Sequence, residues 1–235
     1  MKKITVLLSD DHDVFRGGLR LLLSATDDID VIGEAENGYR AVDETRRLRP
    51  NVVLMDLAMP LLNGVEATRQ IAREVPAAKV LILSSYHDDQ HVLQAVAAGA
   101  AGYVMKETAA NDLFWAIREA FMGNAFFSPA ISRCLVSQWR NGDSQSRTTA
   151  GPALTSREME VLQLIAERYP SKQIAPLLSL SKKTVEKHRQ TLMKKLDRHN
   201  IATLTRYAVE TGVVELNNTL DHTPTWRTSG IAMGK

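Results

Sequence analysis

A chain of 235 residues, 44% hydrophobic and 24% charged, has the length for one large or two small domains, and its apolar content excludes a disordered chain. No apolar run reaches the roughly 18–20 residues that span a bilayer, so a soluble, cytoplasmic protein without a membrane partner is expected. The net charge of +2 conceals a split: residues 1–125 carry 13 Lys+Arg against 18 Asp+Glu, and residues 126–235 carry 16 against 9, which makes the basic half the candidate for nucleic acid.

The opening Met1-Lys2-Lys3, followed by a short apolar run over 4–8 and then by acids, predicts a buried strand rather than a signal peptide. Cys134 is the single cysteine, so no internal disulfide or cysteine zinc site is expected. Short apolar runs then alternate with amphipathic stretches. Strands are predicted over 4–9, 30–34, 52–56, 80–84 and 102–104, and helices over 14–24, 38–48, 64–74, 88–98 and 110–122. Val52-Val53-Leu54-Met55 is apolar on both faces, as a strand covered by helices on two sides must be. Five strands alternating with five helices predict a doubly wound, five-stranded parallel α/β sheet, in which function collects at the carboxyl ends of the strands.

The polar, Gly/Pro-bearing stretch 141–153 reads as linker. From 154 onward the pattern is purely helical, with helices predicted over 156–168, 172–178, 182–196 and 200–211. Thr155 with Glu158 forms a capping box ahead of Val161, Leu162, Ile165 and Tyr169, and Ser181 caps the third of these helices. The stretch 217–235 has no periodicity and is expected to be a disordered tail. The division is therefore 1–125, a linker over 126–153, a small all-α domain over 154–216, and the tail.

Asp10 and Asp11 follow the first strand, Asp56 ends the third, Ser84 ends the fourth and Lys106 follows the fifth. Asp-Asp after a strand also serves as a turn or a cap, and a lone Lys there usually faces solvent. Folded as above, however, all five converge on one sheet edge. Clustered carboxylates repel unless neutralised, and a hard divalent cation such as Mg²⁺ takes oxygen ligands. A carboxylate can also attack a phosphoryl group, with a metal and a lysine stabilising charge on the transferring oxygens.

Leu8-Ser9-Asp10-Asp11-His12, Leu54-Met55-Asp56-Leu57-Ala58-Met59-Pro60 with Asn63-Gly64, and Ala101-Gly102-Tyr103-Val104-Met105-Lys106 resemble the flavodoxin-like receiver domain of two-component response regulators. The steps of 28 residues from Asp56 to Ser84 and 22 from Ser84 to Lys106 resemble the family's spacing. The resemblance implies that Asp56 is the phosphoacceptor. It implies that Asp11, Asp56 and the backbone carbonyl of Ala58 bind Mg²⁺ with help from Asp10, and that Ser84 and Lys106 contact the phosphoryl group. Tyr103 falls at the family's aromatic switch position, where a half-buried strand aromatic is the plainer alternative. Glu107 stands where many receivers have Pro.

In the basic half, Lys183, Lys187, Gln190 and Lys194 make one helical stripe, opposite Val185, Leu192 and Leu196. A major-groove reader has this form, but charge alone favours a solvated lysine face. Leu154-Thr155-Ser156-Arg157-Glu158, Lys172-Gln173-Ile174-Ala175, Leu180-Ser181 and Thr184-Val185-Glu186-Lys187-His188 resemble the LuxR-type helix-turn-helix, and the whole chain resembles NarL/FixJ-type transcriptional regulators. The resemblance implies that Glu186, Lys187 and Gln190 face bases of double-stranded promoter DNA, with Lys194 on the same stripe. Lys172, Thr184, His188 and Arg189 would approach phosphates, and the helix over 202–211 would form a dimer contact. It departs from the family at Arg168, where Gly is usual, at Pro170-Ser171, at Thr191, and at Pro176 inside a helix.

The expected protein is not an enzyme. It is a regulator phosphorylated by a sensor histidine kinase, which then pairs as a homodimer on a promoter. A phosphatase or phosphotransferase of similar fold usually carries a second Asp two residues after the nucleophile, and Ala58 stands there. A receiver serving only as a dimerisation platform is the other alternative.

Overall fold

The computed structural model describes residues 3–86, 89–140 and 154–214. Its first part is an alternating α/β unit: β1 (Ile4–Ser9), α1 (Asp13–Ser24), β2 (Ile29–Ala35), α2 (Gly38–Leu48), β3 (Val52–Met55), α3 (Gly64–Glu74), β4 (Lys79–Ser84), α4 (Asp89–Ala97), β5 (Gly102–Met105) and α5 (Ala110–Met122). The strands pair in parallel in the order β2-β1-β3-β4-β5. Alternation with period two sends each strand's side chains into two cores. Val6, Leu8, Leu54, Leu81, Leu83 and Val104 pack with residues of α1 and α5. Leu7, Val53, Met55, Val80, Ile82 and Tyr103 pack with residues of α2, α3 and α4.

The expectation of five strands is corrected to six. β6 (Phe126–Phe127) adds to β5 in parallel, followed by α6 (Pro129–Arg140). Gly102 permits this pairing, since a Cβ there would lie 2.4 Å from the Phe126 carbonyl oxygen. Ile131 of α6 is fully buried in the core beneath α4. Residues 126–140, read from the sequence as linker, thus extend the α/β unit, while 141–153 and the tail expected over 217–235 lie outside the described residues.

The second part is α7 (Ser156–Ala166), α8 (Ser171–Leu177), α9 (Lys182–Lys195) and α10 (Ile201–Glu210). Thr155 closes the expected capping box with Glu158, and the Ser181 side chain accepts from the Thr184 amide at the start of α9. Leu162, Ile165, Ile174, Val185, Leu192 and Leu204 fill its core. Each such side chain is worth about 1.5–3 kcal/mol when removed from water. Tyr39 of α2 and Leu61 of the β3–α3 loop pack against that core, so the two parts meet. Among the described residues no helix is long and apolar enough to cross a membrane.

Candidate functional site

The reversal of strand order between β1 and β3 opens the carboxyl edge of the sheet, and the sequence places its acids there. Asp10 and Asp56 are buried at 3% and 4% exposure, and Ser84 is fully buried. The Asp10 carboxylate accepts from the His12 amide (2.8 Å), and the Asp56 Oδ1 accepts from the Leu57 amide (2.8 Å). The α3 N-terminus presses against this strand end. Asn63 caps the helix by accepting from the Glu66 amide, and a Cβ on Gly64 would lie 1.9 Å from the Asp56 carbonyl oxygen. Only glycine allows that approach, which gives Asn63-Gly64 its physical reason.

Lys106 reaches in from β5. Its Nζ lies 2.8 Å from Asp10 Oδ2 and 3.0 Å from Asp56 Oδ2, over the Phe15 ring. Burial pushes the Asp56 carboxyl up to about 7, opposed by Lys106 and reinforced by Asp10. Burial also raises the Asp11 carboxyl; His12 opposes this and Asp10 adds to it. Burial alone would lower the Lys106 ammonium, but Asp56 and Asp10 hold it above its ordinary value. The Lys106 ammonium thus stands among three acids.

Ligand atoms of Asp10, Asp11, His12 and Asp56 all lie within 4.8 Å of one another. His12 Nδ1 sits 3.0 Å from Asp11 Oδ1, yet without hydrogen-bond alignment, and that buried oxygen has no hydrogen-bond partner. A buried, unsatisfied carboxylate oxygen beside two further carboxylates fits a hard cation. Sequence reasoning passed over His12; its position directly after the Asp pair was the available signal. Ala58 lies two residues beyond Asp56 on the loop that carries Leu61 and Asn63. Ser84 Oγ accepts from the Tyr86 amide (3.1 Å). Tyr103 is wholly buried rather than half-buried, and its hydroxyl donates to the Tyr86 carbonyl (2.6 Å). The Lys106–Glu107 bond is trans.

In the basic half, Lys183, Lys187, Gln190 and Lys194 are exposed along α9 while Val185 and Leu192 are buried beneath them. Lys172, at the start of α8, is exposed as well. Thr184, Glu186 and His188 are partly exposed. Arg189 is largely withdrawn, at 17% side-chain exposure: its Nη1 donates to Ser171 Oγ (2.7 Å), tying α9 to α8. Arg168 adopts φ 67°, the left-handed conformation that explains why glycine is usual there. Pro176 lies in the last turn of α8, where it removes the donor that would bond the Lys172 carbonyl, and the helix ends one residue later.

Two polar side chains, one on α7 and one at its carboxyl cap, were not anticipated. Gln163 and Glu167, almost wholly buried, contact the β3–α3 loop through Met59, Leu61 and Asn63. Burial pushes the Glu167 carboxyl up to about 7, against the pull of Gln163 and the Leu61 amide. The sequence signal was Gln163 set inside the apolar run from Val161 to Ala166, with Glu167 four residues on.

Residues 6–118 match the family described as the response regulator receiver domain, and residues 152–208 match the bacterial regulatory proteins of the luxR family. The transcriptional regulatory protein DegU of Brevibacillus brevis is 35% identical over 208 residues, covering 83% of this chain and 88% of that protein. The response regulator protein VraR of Staphylococcus aureus is 36% identical over 212 residues, covering 90% and 99%. Among solved structures, the response regulator ChrA of a heme-sensing two-component system aligns at a TM-score of 0.51 and 32% identity, over 91% of this chain and all of that one. RcsB of Salmonella enterica serovar Typhimurium, bound to promoter rprA with the phosphomimetic BeF3−, aligns at 0.55 and 26% identity, over 88% and 98%. With both matches in sequence order, and full-length relatives sharing that order, the chain belongs to the NarL/FixJ-type response regulators, which join a receiver domain to a LuxR-family DNA-binding domain.

Proposed function

We propose that this chain is phosphorylated on Asp56 by a sensor histidine kinase and then binds promoter DNA as a homodimer in the cytoplasm. The observation that carries this reading is the position of Lys106, 2.8 and 3.0 Å from Asp10 and Asp56, beside an Asp11 oxygen that lacks a hydrogen-bond partner. Asp10, Asp11, Asp56 and the Ala58 carbonyl would hold Mg²⁺, which when bound supplies charge neutralisation for phosphoryl oxygens.

The remaining work falls to the chain's own side chains. The Asp56 oxygen near Lys106 attacks phosphorus, forming an O–P bond, as the bond from phosphorus to the donor breaks and the donor atom leaves with its electron pair. Lys106 stabilises charge on the transferred group, and the Ser84 hydroxyl hydrogen-bonds it. Tyr103, whose hydroxyl holds the Tyr86 carbonyl, reports the change at Ser84. The receiver spans 1–125 with the 126–140 extension, a linker joins it to the DNA-binding domain over 154–216, and a tail follows. On α9, Glu186, Lys187 and Gln190 face bases with Lys194 beside them. Lys172, Thr184 and His188 approach phosphates. Arg189 acts mainly through Ser171, as a support. The helix over 202–211 pairs two copies, in line with the RcsB dimers described on two parallel DNAs.

Incubation with acetyl phosphate and Mg²⁺ tests the first half. One added phosphoryl group is expected by intact mass, with none on Asp56→Asn, which keeps the shape but is not a carboxylate nucleophile. Equal labelling of the variant would dismiss Asp56 as the acceptor.

A further inference from the structure

A cavity of about 520 Å³ opens where the α7–α8 turn, α8 and the start of α9 meet. Arg168, Lys172, Lys182 and Arg189 line it, and Glu186 is the one acid among its lining residues. Arg189 is already engaged: its Nη1 donates to Ser171 Oγ (2.7 Å) and lies 3.7 Å from Glu186. Arg168, Lys172 and Lys182 are exposed, and their side chains have no ion pair or hydrogen bond among the described residues. Cations from the turn, from α8 and from α9 therefore line one opening, and its single acid is already paired. A bound anion relieves their mutual repulsion.

Arg168 reaches this cavity from a strained backbone. The Arg168 amide donates to the Ile165 carbonyl (3.0 Å) and the Tyr169 amide to the Leu164 carbonyl (2.9 Å), the paired bonds of a Schellman turn, which set Arg168 at φ 67°. Glycine takes that turn without strain. Arg49 ends α2 in the same left-handed conformation, but its Nε bonds back to the Arg46 carbonyl (3.1 Å). Arg168 makes no return bond among the described residues, so its guanidinium is left for a partner outside the chain. Backbone strain of this kind collects at sites that bind ligands. Neither Arg168 nor Lys182 is among the phosphate contacts that the family resemblance implies, and Gly is usual at 168.

We propose that Arg168 and Lys182, beside Lys172, clamp the phosphodiester backbone of one DNA strand at the rim of the groove that α9 enters. This rests on the reading that Glu186, Lys187 and Gln190 face bases. With Glu186 on the cavity wall, the backbone of the strand being read passes over the opening. Arg168 supplies a planar fork for two phosphate oxygens, and Lys182 supplies a point charge from α9. By bonding Ser171, Arg189 holds α8 to α9 and keeps the two sides in place. The clamp carries no sequence information; it raises affinity for any duplex and seats α9 in the groove. Strain in the free chain and grip on DNA thus sit on one residue, so Arg168→Gly steadies the first and loosens the second.

Binding of the full chain to a duplex selected from random sequence and to a scrambled duplex, at several salt concentrations, reads the clamp. Arg168→Gly and Lys182→Gln are each expected to weaken both duplexes alike, by roughly tenfold at about 50 mM salt, with the specificity ratio intact. The deficit should shrink about 3.5-fold by about 200 mM salt, as loss of one phosphate contact requires. Arg168→Lys, which keeps the charge, should hold the parent's salt slope. Glycine suits the left-handed turn, so Arg168→Gly tests the contact without endangering the fold. Unchanged slopes in both Arg168→Gly and Lys182→Gln, beside a parent that binds the selected duplex, would overturn the clamp and leave base reading by α9 standing. Weakening confined to the selected duplex would overturn it too, by making these residues readers of sequence. Saturable NMR shifts at Arg168 and Lys182 with inorganic phosphate, together with unchanged duplex slopes, would make the cavity a small-anion site instead. A parent that binds neither duplex would sink the DNA reading and the clamp with it.

Discussion

The acidic edge of the receiver and the basic face of α9 carry the two halves of the function under opposite physical conditions. At the receiver edge Asp10, Asp56 and Ser84 are buried, and each is held by a named partner. On α9, Lys183, Lys187, Gln190 and Lys194 are exposed. Phosphoryl transfer gains from a low-dielectric pocket with preset charges, so its residues are locked by backbone and glycine contacts. Reading DNA requires side chains free to meet a groove, so these residues rest on a packed helix. A substitution at the first site should act on charge balance, and one at the second on recognition alone.

The largest effect should come from removing the lysine that bridges two of the receiver's acids. Lys106→Met strips Asp10 and Asp56 of their shared ammonium. Breaking a buried ion pair costs about 3–5 kcal/mol, so a fall in unfolding free energy of that order is expected from urea titration. Added Mg²⁺ should restore much of it, because a divalent cation replaces the lost charge. Stability unchanged with and without Mg²⁺ would mean that Lys106 does not balance the cluster.

Next is the docked interface between the two regions. Glu167 titrates near 7 when buried, above the ordinary carboxylate range of about 4.3. A raised acid favours the protonated form in the docked state, so docking is strongest below the ordinary value, weakens as pH climbs to 7 and levels above it. His91 and Tyr86 line a cavity shared by Glu167, and Tyr39 and Tyr169 lie beside the carboxylate. Glu167→Gln isolates the carboxyl. Interdomain distance measured between pH 5 and 8 should vary in the parent more than in the variant, and equal profiles would show that the Glu167 carboxyl does not carry the dependence.

On α9 the effects are smaller and specific. Gln190→Ala should lower the preference for the cognate site by about 1–3 kcal/mol if its contact is bidentate. Lys172→Ala should weaken cognate and random DNA alike, and flatten the salt dependence by about one phosphate contact. Isotherms on both DNAs at several salt concentrations separate the two; an intact specificity ratio in Gln190→Ala would remove that residue from base readout. The smallest effect concerns Arg168, at φ 67°. Arg168→Gly should stabilise the DNA-free chain by ~1 kcal/mol in urea titration, by relieving left-handed strain.

Among the described residues, the five principal strands and nine of the ten helices were legible in the sequence, because buried parallel strands and amphipathic helices write their periods plainly between turn residues. So was the convergence of Asp10, Asp11, Asp56, Ser84 and Lys106, since strand ends fix where residues meet. β6 escaped notice because two phenylalanines show no period, and the polar stretch after 140 drew α6 into the supposed linker. Gln163 and Glu167 escaped because their partners are backbone groups on a loop about a hundred residues earlier. No local pattern announces a hydrogen bond to a remote amide.

The central claim is that chemistry at the buried edge governs recognition at the exposed face. Duplex binding by the full chain, with and without acetyl phosphate and Mg²⁺, tests it most directly beside the Asp56→Asn variant. Tighter binding on phosphorylation in the parent and no response in Asp56→Asn is the expected result. An equal response in both chains, or none in a parent shown by mass to be phosphorylated, would contradict it.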